Sequence, residues 1–319
     1  MKNSDILKIL SDHNGQYVSG AEMASIFGIS RAALSKRIQK MKENGIKIDA
    51  ITNKGYMLLD IPDDITQDNI YVGVSDGQKI GNTIIVLDEV NSTNDYAKTI
   101  AKTSAEGTVI VSKIQTSGKG RRGREFISSD GGLYFTIILK PDVEITKIPF
   151  LTQVTACSVF KTLETLGVKT KIKWPNDIIL NDKKLCGILC EMSMEIGMLD
   201  YCVVGIGINV ENKFTDGIKD IATSLGLENY NISKKEILWQ VLKYFDMYYK
   251  DFLAENYSSI LEVLRTNSNI LGEKINILSA EITTPAVAKN IDDKGFLVVE
   301  YEDGTTGALN YGEISIRKR

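Results

Sequence analysis

The apolar spacing changes twice along this chain, and each change marks a piece with a different fold. Up to residue 43 the large apolar side chains recur at helical intervals, from about residue 82 strand-like and helical stretches alternate, and from Gly272 only short strand patterns remain. A pattern of helical period cannot bury one face as a strand, nor the reverse. The chain is therefore expected to be α+β with three parts: a small helical domain over 1–64, a mixed α/β domain over 65–271, and a small all-β module over 272–319. Asp60-Ile61-Pro62-Asp63-Asp64, with proline and three acids, reads as the first linker.

Within the first part, Ile6, Leu7 and Leu10 mark one helix, and Ser19-Gly20-Ala21-Glu22 is a capping box that opens a second. Gly28-Ile29-Ser30 makes a tight turn with Ser30 as N-cap of a third helix, whose inner face is Leu34, Ile38 and Met41. Lys47–Ala50 and Tyr56–Leu59 then pair across Thr52-Asn53-Lys54-Gly55. Helix, glycine turn, basic helix and cationic-tipped hairpin form the outline of a winged helix-turn-helix. The outer face of the third helix carries Arg31, Ser35, Lys36, Gln39 and Lys42, residue types that reach base edges and phosphates. Charge agrees: residues 1–60 hold nine basic and six acidic side chains, whereas the whole chain is net −3. A small interaction domain with a solvated basic helix is the plainer alternative.

Composition removes whole classes of chemistry. There is one histidine, His13, so a Ser-His-Asp triad, an HExxH zinc site or a histidine acid–base pair would all depend on that residue. The four cysteines (Cys157, Cys186, Cys190 and Cys202) contain no CxxC pair, which argues against structural zinc and a disulfide framework and suits a reducing cytoplasm. No run of 18 apolar residues exists, and the N-terminus has no signal-peptide pattern, so no membrane association is expected.

Four segments carry candidate chemistry. Ser117-Gly118-Lys119-Gly120-Arg121-Arg122-Gly123-Arg124 packs three glycines and four cations into eight residues, suited to an anion, yet it fits neither a Walker A loop nor a Rossmann turn. A flexible solvated loop is the plainer reading of the same residues. Lys173-Trp174-Pro175-Asn176-Asp177 is a rigid entry to a strand, with Asp177 able to face a magnesium ion. Asn181-Asp182-Lys183 forms a hairpin tip with Lys184 starting the returning strand. Gly205-Ile206-Gly207-Ile208-Asn209 places two glycines inside a strand, where a ligand often approaches closely.

In this order, GKGRRGR, KWPNDIILNDKKLCGIL and GIGINV resemble the biotin–protein ligases, and with the helix-turn-helix the whole chain resembles their bifunctional ligase/repressor branch. The resemblance implies a winged helix-turn-helix, a central ligase domain and a C-terminal SH3-like β-barrel. It implies ATP, biotin and Mg2+ as reactants, with biotinyl-5′-AMP as intermediate and corepressor. Biotin carboxyl carrier protein would be the acceptor, operator DNA the second partner, and a homodimer the adenylate-bound state. On the same resemblance Ser92, Thr93, Asn94, Gln115, Gly118, Arg121, Lys184, Gly205 and Gly207 would bind biotin, with Lys184 and Arg121 catalytic. Lys119, Arg122, Arg124, Phe126, Asn176, Asp177, Asn209 and Arg317 would lie on the nucleotide side, Asp177 also being the metal ligand. Lys119 stands where the common loop has Arg, and Phe126 where many members have Trp. A lipoate or octanoate transferase, and a regulator that only senses a metabolite, are the competing functions.

Overall fold

A computed structural model describes residues 3–13, 15–62, 64–67, 69–70, 77–195, 197–279, 282–310 and 315–318. The chain forms two compact units, one of residues 1–76 with 233–236 and the other of residues 77–232 with 237–319.

The first unit comprises α1 (Asn3–Asp12), α2 (Gly20–Ile26), α3 (Arg31–Glu43) and a hairpin of β1 (Lys47–Ile51) and β2 (Gly55–Asp60). Ser30 caps α3 by accepting the Ala33 N–H at 3.1 Å, and Leu34, Ile38 and Met41 are buried as their spacing requires. They close a core with Ile6, Leu7, Leu10, Met23 and Ile48. Gly55 has φ +112°, and a Cβ there would lie 2.0 Å from the Val18 carbonyl oxygen, so only glycine lets the hairpin pair with Val18. His13 is exposed beside the turn after α1, its Nδ1 2.7 Å from the Ile9 carbonyl.

The second unit is built on a seven-stranded sheet: β3 (Ile84–Val90), β4 (Val109–Gln115), β5 (Leu133–Leu139), β6 (Lys171–Lys173), β7 (Asp177–Leu180), β8 (Lys183–Glu195) and β9 (Met198–Ile208). Their order is β3-β4-β5-β9-β8-β7-β6, with β3 and β4 parallel and every other pair antiparallel. The parallel pair needs a crossover, and α4 (Thr93–Ile100) supplies it. Every residue of β5 is buried, as expected for a strand covered on both faces. Helix α5 (Leu151–Thr165) is buried almost all round; Thr155 donates to the Leu151 carbonyl at 2.6 Å and Ser158 to that of Val154 at 2.7 Å, so these buried hydroxyls are satisfied within the helix. α6 (Lys234–Leu253) and α7 (Ser258–Thr266) follow.

The last strands are β10 (Lys274–Ser279), β11 (Ile282–Ile291), β12 (Leu297–Tyr301), β13 (Thr306–Leu309) and β14 (Ser315–Lys318), paired in the order β13-β12-β11-β10-β14. This is the C-terminal β-rich part expected from sequence; among the described residues no ladder joins β13 to β14. The sheet is anchored through its turns. The Gly295 carbonyl accepts from Gln153 Nε2 at 2.7 Å and from the Trp174 indole at 3.1 Å, and Arg265 donates to the Ile291 carbonyl at 2.7 Å. These contacts explain why so small a sheet shares one compact unit with the larger one.

Candidate active site

Strand register builds the floor of the site. β5, β9 and β8 lie side by side, so Tyr134, Gly207 and Gly187 form one row and Thr136, Gly205 and Leu189 the next. Removing side chains at three of these six positions leaves a trough in the sheet. A Cβ on Gly205 would stand 2.3 Å from Asn94 Oδ1, and one on Gly207 2.4 Å from the Phe126 ring. One on Gly187 would be 2.9 Å from both Phe126 and the Lys184 ammonium.

Helix α4 begins at the edge of this trough. Ser92 is its N-cap, accepting from the Asp95 N–H at 3.4 Å, and Ser92, Thr93 and Asn94 are all buried. A polar chain runs from that first turn. The Thr93 N–H donates to Gln115 Oε1 at 2.7 Å, Gln115 Nε2 donates to Ser128 Oγ at 2.8 Å, and Ser128 donates to the Phe126 carbonyl at 2.9 Å. Thr136 Oγ1 lies 2.8 Å from Thr93 Oγ1 and 2.7 Å from Asn94 Oδ1. These links satisfy the buried Thr93, Asn94, Ser128 and Thr136, which would otherwise be costly, through the half-buried Gln115.

The glycine-rich segment forms the roof. The Phe126 N–H donates to the Gly118 carbonyl at 2.8 Å and the Gly120 N–H to Arg124 at 2.7 Å, making a narrow loop. Gly118 is obligatory: a Cβ there would meet the Phe126 carbonyl at 2.3 Å and Ser128 Oγ at 2.4 Å. Phe126 lies on the Gly187–Gly207 row, edge-on to Tyr134 with ring centroids 6.4 Å apart. Lys184 Nζ sits 5.6 Å from the Phe126 ring centroid and 2.7 Å from Asp177 Oδ1. Arg121 donates to Asn176 Oδ1 at 3.2 Å. Burial pushes the Arg121 guanidinium pKa down, with Asp177 opposing that shift. Lys119 pairs with Asp95 at 2.6 Å, and this hydrogen-bonded contact raises the Lys119 pKa. Burial works against the Asp95 charge, but Lys119 and Lys98 outweigh it and hold the carboxyl below its usual range.

The result is a cleft in which Ser92, Thr93, Asn94, Gln115, Lys119, Arg121, Phe126, Asn176, Lys184, Gly205 and Gly207 all take part. Gly118 supports it from the loop, and Asp177 through Lys184. The remaining expected residues lie elsewhere. Arg122, at φ 59°, donates to the Leu278 carbonyl at 3.1 Å, and Arg124 is exposed. Asn209 is buried beneath the site, its amide donating to the Thr223 carbonyl at 3.0 Å and to Lys184 at 3.4 Å, while its Oδ1 has no hydrogen-bond partner. Arg317 lies in β14 opposite Asn276, with its side chain outside what is described. Arg31, Ser35, Lys36, Gln39 and Lys42 are all exposed along α3 of the first unit.

Sequence reasoning passed over Gly187, Thr136, Ser128, Asp95 and Glu191. Two of them carried a signal. Thr136 interrupts an apolar run, and Glu191 lies two and four residues beyond Leu189 and Gly187, on the same strand face.

Three family descriptions match the chain: "Biotin/lipoate A/B protein ligase family" over residues 86–209, "HTH domain" over 2–57 and "Biotin protein ligase C terminal domain" over 270–317. The bifunctional ligase/repressor BirA of Bacillus subtilis (strain 168) is 33% identical over 307 residues, covering 94% of either chain. That of Escherichia coli (strain K12) is 27% identical over 308 residues, 95% of this chain and 94% of the relative. Among solved structures, the biotin protein ligase from Aquifex aeolicus in complex with biotin and ATP superimposes with a TM-score of 0.66 at 31% identity, covering 75% of this chain and all of that one.

Proposed function

This chain belongs to the biotin/lipoate A/B protein ligase family, and from that premise we propose how its residues divide the work of a bifunctional biotin–protein ligase and repressor. The enzyme uses ATP to activate biotin as biotinyl-5′-AMP and transfers it to a lysine of biotin carboxyl carrier protein. The helix-turn-helix represses transcription on DNA. The observation that carries the assignment of roles is the convergence of the α4 first turn, the 117–128 loop, Lys184 and the strand glycines on one cleft.

The bicyclic ring of biotin is read by Ser92, Thr93, Asn94 and Gln115, beside Gly205, with Gly118 shaping the roof. An apolar ligand carrying a urea needs such a setting: close-packed strand backbone and a few oriented polar groups. Its carboxylate extends toward Lys184 and Arg121. Carboxylic acids are ionised at pH 7, so no base has to deprotonate the nucleophile. What opposes the first step is repulsion between two anions, the carboxylate and the α-phosphate. Cations fixed in a partly dry cleft lower that barrier without reorganising during the reaction. A carboxylate oxygen forms a bond to the α-phosphorus, and pyrophosphate leaves with the electrons of the broken P–O bond. In the second step the neutral amine of the acceptor lysine attacks the acyl carbon and AMP leaves. Lys184 is held by Asp177 at 2.7 Å, which fixes the position of its ammonium.

The nucleotide side is assigned to Lys119, Phe126, Asn176 and Asp177 at the cleft, with Arg122, Arg124, Asn209 and Arg317 joining them from outside its lining. The buried Asn209 Oδ1 without a partner suits the amino group of a purine. Among the described residues no group of three His, Cys, Asp or Glu could hold a metal ion. Asp177 would be the protein oxygen for a magnesium ion that arrives on the phosphates, since magnesium retains most of its water. Its chemistry when bound is neutralisation of phosphate charge.

Arg31, Ser35, Lys36, Gln39 and Lys42 contact DNA, and the protein acts in the cytoplasm as a homodimer once the adenylate is bound. No helix among the described residues is long and apolar enough to cross a membrane. The three parts are 1–64, 65–271 and 272–319. The decisive experiment incubates the chain with ATP, magnesium, biotin and a carboxyl carrier domain. A biotinylated carrier lysine that requires ATP is the expected result. Transfer of lipoate or octanoate instead, or no transfer, overturns the reading.

A further inference from the structure

The polar chain of the cleft contains amides and hydroxyls, each able to run in either direction. An asparagine can present its oxygen or its NH2 to a neighbour, and a threonine can give or take a proton. Some group that cannot reverse must therefore set the polarity. Two such acceptors meet the Asn94 amide, the Leu189 carbonyl at 3.3 Å and the closer Glu191, the one that is a side chain: as a carboxylate it only accepts. Its Oε2 accepts from Asn94 Nδ2 at 2.8 Å and its Oε1 from the Lys98 ammonium at 2.6 Å. Lys98 also lies 3.5 Å from Asp95, so the carboxylate is tied down by a cation that α4 itself supplies.

With its NH2 drawn to Glu191 and, at 3.3 Å, to the Leu189 carbonyl, Asn94 must turn Oδ1 toward Thr136. The Thr136 hydroxyl has one hydrogen. Donated to Asn94 Oδ1, 2.7 Å away, it satisfies that oxygen, and the Thr93 hydroxyl oxygen lies 2.8 Å from the same Thr136 Oγ1. Gln115 Oε1 accepts from the Thr93 N–H at 2.7 Å and from the Thr93 hydroxyl at 3.0 Å. The same Asn94 Oδ1 is the atom nearest the missing side chain of Gly205, so it lies at the surface of the trough with a second lone pair unspent. Reversal of the Asn94 amide would put N–H donors where that acceptor stands.

We propose that Glu191 is a positioning residue of the acid-binding half of this cleft: through Asn94 it fixes an acceptor toward the N–H groups of the bound bicyclic urea. This rests on the function proposed above. Glu191 touches no reacting atom, so its loss weakens binding of the acid and leaves phosphoryl chemistry and ATP binding alone.

The test measures biotin-dependent ATP–pyrophosphate exchange with the full chain, with biotin and ATP varied separately. In Glu191→Gln the KM for biotin is expected to rise about tenfold, with kcat and the KM for ATP within twofold of the parent and an unchanged melting temperature; one hydrogen bond to a charged group supports a change of that order. Lys98→Met leaves the carboxylate in place and is expected to raise it about threefold or less. Because the action passes through Asn94, calorimetric biotin binding should show Glu191→Gln adding less than a twofold loss in an Asn94→Ala background. A parental biotin KM in Glu191→Gln, or a full tenfold loss in the Asn94→Ala background, overturns the inference while the ligase reading stands. Absence of biotin-dependent exchange in the parent overturns both.

Discussion

Replacing Gly205 by alanine asks whether the trough is a rigid part of the fold or merely open space. The new methyl would stand 2.3 Å from Asn94 Oδ1 and 2.9 Å from its Cγ, well inside ordinary contact. Asn94 is poorly able to retreat, being held by Thr136 at 2.7 Å, Glu191 at 2.8 Å and Leu189 at 3.3 Å. Overpacking costs about 1–3 kcal/mol, and giving up one buried hydrogen bond adds about 1–3 kcal/mol. At Gly207 the same methyl meets the Phe126 ring at 2.4 Å, the outer part of a side chain carried by the 117–128 loop and not by the sheet. Thermal denaturation with and without biotin separates the two, combined with calorimetric titration. Gly205→Ala should lower the melting temperature by about 5–10 °C. Its biotin affinity should fall at least 30-fold, about 2 kcal/mol at 1.4 kcal/mol per tenfold. Gly207→Ala should melt within about 3 °C of the parent, its main loss being in ATP-dependent turnover. A Gly205→Ala protein with parental melting and affinity, or a Gly207→Ala protein that is the less stable of the pair, would refute the reasoning.

Three other expectations can be measured directly. Lys184→Ala should lose about 100-fold or more in pyrophosphate exchange, whereas Lys183→Ala, whose ammonium donates to the Lys219 carbonyl at 2.7 Å, should stay near parental; equal losses would remove Lys184 from the reaction. Asp95→Asn should speed tryptic cleavage of the 117–128 loop about two- to fivefold at pH 8, the range for an exposed ion pair, and an unchanged rate would show that Lys119 does not tether the loop. Because the Asp95 pKa is depressed, its share of that tether is complete above about pH 4 and lost as pH falls through the folded value; Lys119, with a raised pKa, contributes below about pH 10 and loses that share as pH rises through its folded value. Loop hydrogen exchange, corrected for its intrinsic rate, should therefore show constant protection between about pH 5 and 9. Finally, replacing Arg31, Lys36 and Lys42 with alanine should flatten the dependence of log DNA affinity on log salt by about 0.9 for each phosphate that is no longer neutralised, and an unaltered slope would place the DNA surface elsewhere.

Local physics made the first unit readable from its residues. The Ser30 cap and the Leu34, Ile38 and Met41 spacing concern neighbours within one or two helical turns, and the structure has them as expected. The alternation of strands and helices in the second unit was legible for the same reason, although β8 and β9 run beyond their apolar stretches because their ladder continues to the Glu195–Met198 pair. The loop glycines and the WPND segment were visible as chemistry before their partners were known.

Pairings between residues distant in sequence could not be read that way. Asn94 and Glu191 are 97 positions apart, and they meet because β5, β9 and β8 adopt one register. A slip of one residue would turn Gly187, Leu189 and Glu191 to the opposite face, and with them the trough and its orienting carboxylate. The attachment of Arg122 to the C-terminal sheet is likewise an outcome of packing. The sequence by itself determined the elements, their capping and the stock of charges without a catalytic histidine. Tertiary structure decided which of those charges meet, because partner choice in a sheet is a property of strand register and order, which no local stretch encodes.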